Sequence, residues 1–198
     1  MKYLLNITLI IFLFSSCTSI RNKEIPEVGH WGASSPKQHK VNLLVEVTQE
    51  LNGKIQIAAD KSFKPEVNKH IEEESFRLMK DSGYFSHVYN AKETVGEKGK
   101  ATIEFRIKRK EKTTNRLFIG LTLGLWPLND FIEFELEAKL LSAGRLIKHL
   151  ELKDGTTKYI QVLLAPFYFL SKPQDVEWSV LSNMMKTFIQ KLEQDRIL

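Results

Sequence analysis

Cysteine is almost absent from the sequence, since Cys17 is the only one among 198 residues. A chain with one thiol cannot form an internal disulfide, so its fold must be stabilised by the core alone. The sequence also lacks an HExxH motif around its five histidines and a GxSxG motif around its serines, which removes the sequence support for a zinc site or a serine hydrolase. We therefore expect a protein that is not an enzyme and that binds neither a metal ion nor another cofactor.

The apolar run at the start of the chain is too short to cross a membrane. It covers residues 3–14, about 18 Å of helix against a hydrocarbon core of roughly 30 Å. Lys2 precedes the run, and the small residues Ser15 and Ser16 follow it. This arrangement predicts an export signal peptide over residues 1–16.

The stretch Phe14-Ser15-Ser16-Cys17 resembles the lipobox of bacterial lipoproteins with a type II signal peptide. The resemblance implies that the Cys17 thiol carries a lipid anchor and that Cys17 becomes the mature N-terminus. Thr18 and Ser19 follow it in place of the aspartate that holds many such proteins at the inner membrane. The resemblance therefore implies the periplasmic face of the outer membrane. The alternative is an ordinary secretory signal followed by an incidental cysteine.

Residues 17–40 mix serine, proline, glycine and charged residues without a period. This composition predicts a flexible tether after the lipidated cysteine, spanning roughly 25 to 30 Å. Trp31 is the one bulky residue of this tether, and it either docks on the domain or lies at the lipid interface. The folded unit then covers residues 41–198, enough for a single domain.

The charge of the chain is mildly basic. Loss of residues 1–16 removes one lysine and lowers the formal net charge from +5 to +4. An exported protein of this charge meets anionic lipid or envelope polymers before it meets nucleic acid, so we do not expect nucleic acid as a partner.

Apolar and polar residues alternate along 41–47, 101–107 and 132–140, which predicts strands with one buried face. Helical patterns follow Pro65 and Pro173, and the second carries Trp178 on its apolar face. Turn residues at 142–144 and at Asp154-Gly155 predict two hairpins. The expected fold class is α+β, a mostly antiparallel sheet with two main helices packed on one face.

The stretches SGYFSHV, GLTLGLWPLNDFIEFELEAKLLSAGRLIKHLELKDG and YIQVLLAPFYFLSKPQDVEWSVLSNMMKTFIQKL resemble small uncharacterised bacterial envelope lipoproteins. More loosely, the first helix and its turn are similar to the lipoproteins that activate penicillin-binding proteins and to the curli-secretion lipoproteins. The resemblance covers most of residues 41–192 and carries no catalytic residues.

Two apolar segments, 117–128 and 162–170, are more hydrophobic than strand alternation requires, and a cationic run over 106–116 precedes the first. We expect either that the segments pack in the core or that they contact a membrane or a partner beside the cations. The candidate contact residues are Lys108, Arg109, Lys110, Arg116, Leu123, Trp126, Phe167 and Phe169. The alternative for the cations is a solvated edge strand guarded by lysine.

These patterns favour a lipid-anchored, non-enzymatic binding or assembly module, attached to the cell membrane through its lipid and facing an envelope protein partner. The alternative is a carrier or chaperone for lipids or lipoproteins that uses segments 117–128 and 162–170 as a cavity wall.

Overall fold

The computed structural model describes residues 16–29, 31–32, 39–92, 99, 101–114, 128–161 and 173–197. The elements in chain order are β1 (Ser16–Arg21), β2 (Lys40–Leu51), β3 (Lys54–Ile55), α1 (Pro65–Asp81), β4 (His87–Asn90), β5 (Ala101–Lys112), β6 (Leu128–Ser142), β7 (Arg145–Gln161) and α2 (Pro173–Gln194). No helix among these residues is long and apolar enough to cross a membrane.

The strands form one sheet in the order β1-β7-β6-β5-β2-β3, and β4 also pairs with β2. The β5–β6, β6–β7, β7–β1 and β2–β3 pairs are antiparallel. The β2–β5 and β2–β4 pairs are parallel, because α1 carries the chain from the end of β2 back to its start. This architecture confirms the predicted α+β class, with a mostly antiparallel sheet and two helices.

The core lies between the sheet and the two helices. Every second side chain of the long strands faces it, as the alternation predicted. Buried strand residues include Val41, Leu43, Val45, Ile103, Phe105, Ile107, Ile132, Phe134, Leu136, Ala138 and Leu140. From α2, Phe188 packs edge-on against Phe105 with ring centroids 5.8 Å apart.

The apolar face of α2 is confirmed except at its first turns. Leu181, Met185, Phe188 and Leu192 are fully buried. Trp178, expected to be buried with them, is only half-buried. It lies near the start of the helix, where it contacts the His70 ring of α1 edge-on at 6.3 Å.

The predicted turn at 142–144 is present, and the one at 154–155 is absent. Ala143 and Gly144 have φ of 48° and 74°, as a two-residue hairpin turn between antiparallel strands requires. β7, in contrast, runs without a break from Arg145 to Gln161. Gly155 there lies against the neighbouring strand, where an added Cβ would come within 2.6 Å of the Ile132 carbonyl oxygen. Glycine at this position therefore serves a close approach of two backbones.

Asp154 is fully buried, and it accounts for the order of the N-terminal segment. Its carboxylate accepts hydrogen bonds from Arg21 Nη2 at 3.0 Å and from the backbone N–H groups of Glu24 and Gly155 at 3.2 and 2.8 Å. A buried carboxylate needs such partners, because an unpaired charge away from water is costly. Asp154 thus holds β1 against β7.

Two further contacts fix the segment after β1 on α2. The Asn183 side chain accepts from the Val28 N–H at 2.8 Å and donates to the Pro26 carbonyl at 2.9 Å. Trp31 packs against Tyr84, with ring centroids 5.7 Å apart, so it docks on the domain. These contacts correct the expectation of a flexible tether for the described part of residues 17–40.

Gly155→Ala should destabilise the protein by about 1 to 3 kcal/mol, because the added methyl group meets a backbone carbonyl that cannot move without breaking the sheet. Urea unfolding measures the loss. Gly29→Ala is the matched control, since no atom lies within 4 Å of its added Cβ. Equal stability of the two variants would contradict the close approach at Gly155.

Candidate functional site

The face of the sheet that points away from the helices carries paired charges. Arg106 Nε lies 3.2 Å from Glu46 Oε2, and Lys108 Nζ lies 2.7 Å from Glu50 Oε2. Lys110 bonds Glu135 of the neighbouring strand. Acidic side chains of β2 and β6 thus flank basic side chains of β5, and the surface forms a shallow depression of about 750 Å³.

This arrangement changes the interpretation of the cationic run. β5 lies between β2 and β6, so its lysines do not guard an edge of the sheet, and that alternative is wrong. Lys108 and Lys110 are half-buried and bound to carboxylates. The hydrogen bond to Glu135 raises the pKa of Lys110 against the opposing effect of burial. Neither lysine offers the free charge expected of a membrane contact.

Arg109 points to the opposite face, and its side chain is only 6% exposed. Its Nη2 lies 3.1 Å from Glu177 Oε2 and its Nη1 2.7 Å from Glu111 Oε2. Lys158 binds the other oxygen of Glu177 at 2.6 Å. A buried arginine cannot reach a membrane surface, so its inclusion among the contact residues is corrected. The sequence could have predicted this burial, because Arg109 continues the alternation of the buried residues Ile103, Phe105 and Ile107 of β5.

The charges in this cluster hold one another ionised. Burial alone would lower the pKa of Arg109, but Glu177 and Glu111 outweigh it and raise the pKa. Burial likewise favours protonation of Glu111, yet Arg109 beside it keeps the pKa of that carboxyl below its usual range. The cluster therefore ties β5 to the start of α2 at neutral pH.

A cleft of about 310 Å³ opens beside this cluster, between the first turns of α1 and α2. Phe134, Arg109 and Glu177 line the cleft. Half-buried Trp178 and exposed His70 line it from the two helices. The remaining lining residues are Val67, Ile71 and Leu181. Its walls are mainly apolar, and its volume lies at the lower limit for small-ligand sites.

The structure also brings together three metal-type ligands that sequence spacing did not reveal. His149 Nε2 lies 3.4 Å from Glu137 Oε1 and 3.5 Å from Glu151 Oε1. The same oxygen of Glu137 binds Lys139 Nζ at 2.6 Å. That hydrogen bond lowers the pKa of Glu137 against the effect of burial. The negative charge of Glu137 is thus already paired with Lys139, and a metal ion would have to compete with that lysine.

The other predicted contact residues, Arg116, Leu123, Trp126, Phe167 and Phe169, lie outside the described residues. For Cys17 the backbone is described. It belongs to β1, opposite Ile160 of β7.

Neither a protein-family model nor a curated protein matches the chain. Among solved structures, the chain is similar to a Xanthomonas campestris protein of the family DUF330, at 12% identity and a TM-score of 0.47, covering 84% of this chain and 92% of that one. A putative neuraminyllactose-binding hemagglutinin homolog from Helicobacter pylori matches at 15% identity and a TM-score of 0.41, covering 65% and 70%. PelC from Paraburkholderia phytofirmans, solved as a dodecamer, matches at 10% identity and a TM-score of 0.33, covering 76% and 88%. Similarities this distant carry no functional argument.

Arg109→Met should cost about 3 to 5 kcal/mol of stability, because it leaves Glu111 buried without its ion pair and Glu177 with Lys158 alone. Arg106→Met, on the same strand but with its side chain 51% exposed, should cost about 1 kcal/mol or less. Chemical unfolding at neutral pH compares the two variants. Similar losses would contradict the assignment of the buried cluster.

Proposed function

We propose that the chain is a lipid-anchored envelope protein that acts as a non-enzymatic binding or assembly module at the periplasmic face of the outer membrane. Cys17 is the acylated residue. The observation that carries this proposal is the position of Cys17 in β1, a strand that belongs to the folded domain.

The position of Cys17 has a mechanical consequence for an anchored protein. Arg21, four residues later in the same strand, is bound to buried Asp154. Four residues of strand span about 13 Å, much less than the 25 to 30 Å expected of a flexible tether. A lipid on Cys17 therefore holds the domain close to the bilayer surface and restricts its orientation.

The open face of the sheet suits a module that works through its surface. Its charged side chains already pair across the strands, so the face is polar without carrying a free charge of one sign. Such a surface fits another protein whose polar groups exchange with these pairs at the rim of an interface. It gives no continuous cationic track of the kind that nucleic acid requires.

The cleft beside Trp178 supports the second candidate function, a carrier of lipids. Its mainly apolar walls would accept an acyl chain. The carrier hypothesis assigned the cavity to segments 117–128 and 162–170, most of which lies outside the described residues. The cleft offers an acyl-chain site built from α1, α2 and β6 instead.

The carrier function can be tested by filling the cleft. Native mass spectrometry of protein extracted from membranes should detect a bound lipid, and Val67→Trp should abolish it because the larger ring of this half-buried lining residue occupies the cleft. Leu146→Trp, at an exposed position of β7, is the control and should retain the lipid. Absence of lipid from the unaltered protein, or its retention in Val67→Trp, would reject the carrier.

Cys17→Ser tests the anchor. The substituted precursor should incorporate no labelled fatty acid and should stay unprocessed by the lipoprotein signal peptidase, because serine has no thiol to acylate. Metabolic labelling and intact mass measure both effects. Label that persists in the Cys17→Ser protein would overturn the proposed anchoring.

A further inference from the structure

Residues 51–64 form a turn and loop that is rigidly held at one end of the sheet. Asn52 and Gly53 have φ of 49° and 82° and form the tight β2–β3 turn. The Asn52 N–H donates to the Glu111 carbonyl at 2.8 Å, and its side chain exchanges hydrogen bonds with Thr113 at 2.9 and 3.0 Å. The turn is therefore fixed to the end of β5.

The rest of the loop is held by hydrogen bonds of its backbone N–H groups. The Gln56 N–H donates to the Gln49 carbonyl at 2.8 Å. The Ile57 N–H donates to the Asp60 carboxylate at 2.8 Å, and the Asp60 N–H returns a bond to the Ile57 carbonyl at 2.8 Å. This reciprocal pair makes a defined turn with Ile57 at its start.

The loop nevertheless presents apolar side chains to solvent. Ile55 and Ile57 are 60% and 61% exposed. Lys54, Lys61 and Lys64 of the same loop are exposed, and none forms an ion pair with another described residue. They contrast with Lys108 and Lys110 of the open sheet face, which carboxylates neutralise. The loop thus combines two exposed isoleucines with lysines that form no ion pair with a described residue, and of these Lys64 also helps to lower the pKa of the Glu111 carboxyl.

The tip of the loop, Asn52-Gly53, lies at the same end of the sheet as Cys17 but at the opposite edge, since β3 and β1 are the outer strands. Ile55 lies opposite Glu50, where β3 returns along β2. The register places Leu51, Glu111, Ile132, Thr156 and Arg21 in one row across the strands. Beyond this row, the Asn52-Gly53 turn and the four residues from Arg21 back to Cys17 run in the same direction. Cys17 extends about 13 Å past the row, at about 3.3 Å per residue.

We propose that the loop 51–64 is a second membrane contact, which docks on an anionic lipid surface and, together with the acylated Cys17, sets the orientation of the domain. This inference rests on the proposed anchoring. The chemistry of the loop favours a lipid surface as its occupant, because isoleucine enters the interfacial region while lysine binds anionic headgroups. The loop is already ordered by its backbone bonds, so little conformational entropy is lost on contact.

A single-cysteine experiment tests the contact. Acylation consumes the Cys17 thiol, so Ile57→Cys introduces the only free thiol of the full acylated chain. A polarity-sensitive fluorophore is attached there, and the protein is reconstituted in vesicles of phosphatidylethanolamine and phosphatidylglycerol that contain a quencher on the acyl chains. Leu146→Cys, 55% exposed at the opposite end of the sheet, is the matched control.

The probe at position 57 should shift to the blue and lose intensity to the quencher, and the probe at position 146 should do neither. Equal behaviour of the two probes would overturn the contact while leaving the anchor intact. Intact mass measures acylation separately, and an unmodified Cys17 would reject the anchor. The same two probes in a Cys17→Ser chain without residues 1–16 then report on the loop alone.

The charge contribution is measured with a Cys17→Ser chain that lacks residues 1–16, so that neither an acyl group nor the apolar run 3–14 binds the vesicles. Its affinity for the same vesicles should fall as salt rises. Lys54→Gln and Lys61→Gln should each weaken binding by about fivefold. The control is Lys148→Gln, which changes the net charge equally but removes a lysine paired with Asp195 at the opposite end of the sheet, and it should leave the affinity unchanged. A loss as large in Lys148→Gln as in the loop variants would also overturn the proposal.

Discussion

The buried carboxylate of Asp154 is the constraint on which the order of the N-terminal segment, β1 and the residues after it, depends. It lies in the middle of a 17-residue strand without exposure to solvent, and it is satisfied by Arg21 together with two backbone N–H groups. Because an isolated charge at this position would be very costly, β1 must pair with β7 for the sheet to be stable. The same requirement places Cys17 in the folded domain rather than on a free arm.

The two faces of the sheet use charge in different ways. On the open face, glutamates and lysines from neighbouring strands pair in partial contact with water, where each pair contributes little and the set as a whole prevents a charge of one sign from accumulating. On the helical face, Arg109 joins Glu111 and Glu177 out of water, where loss of one partner is severe. The first system defines a polar surface, and the second secures the start of α2 on β5.

These features bear on the proposed function in the same direction. The ordered strand β1 would shorten the distance between the proposed anchor and the domain, and the fixed loop 51–64 carries exposed isoleucines at the other edge of the sheet. The open sheet face, on the side away from the helices, would stay available to the proposed partner. The order of the strands therefore supports the proposed anchoring and orientation.

Local sequence patterns were enough to predict the elements that depend on neighbouring residues. Alternation predicted the buried faces of β2, β5 and β6, and Pro65 predicted the start of α1. Features that depend on residues far apart in the chain became visible only in the folded protein. Asp154-Gly155 resembles a turn, but Arg21, 133 residues earlier, and the close Ile132 backbone make it a buried stretch of strand. Likewise, the cations of β5 resembled a free patch, and their partners on β2, β6 and α2 became adjacent only through strand order and helix packing.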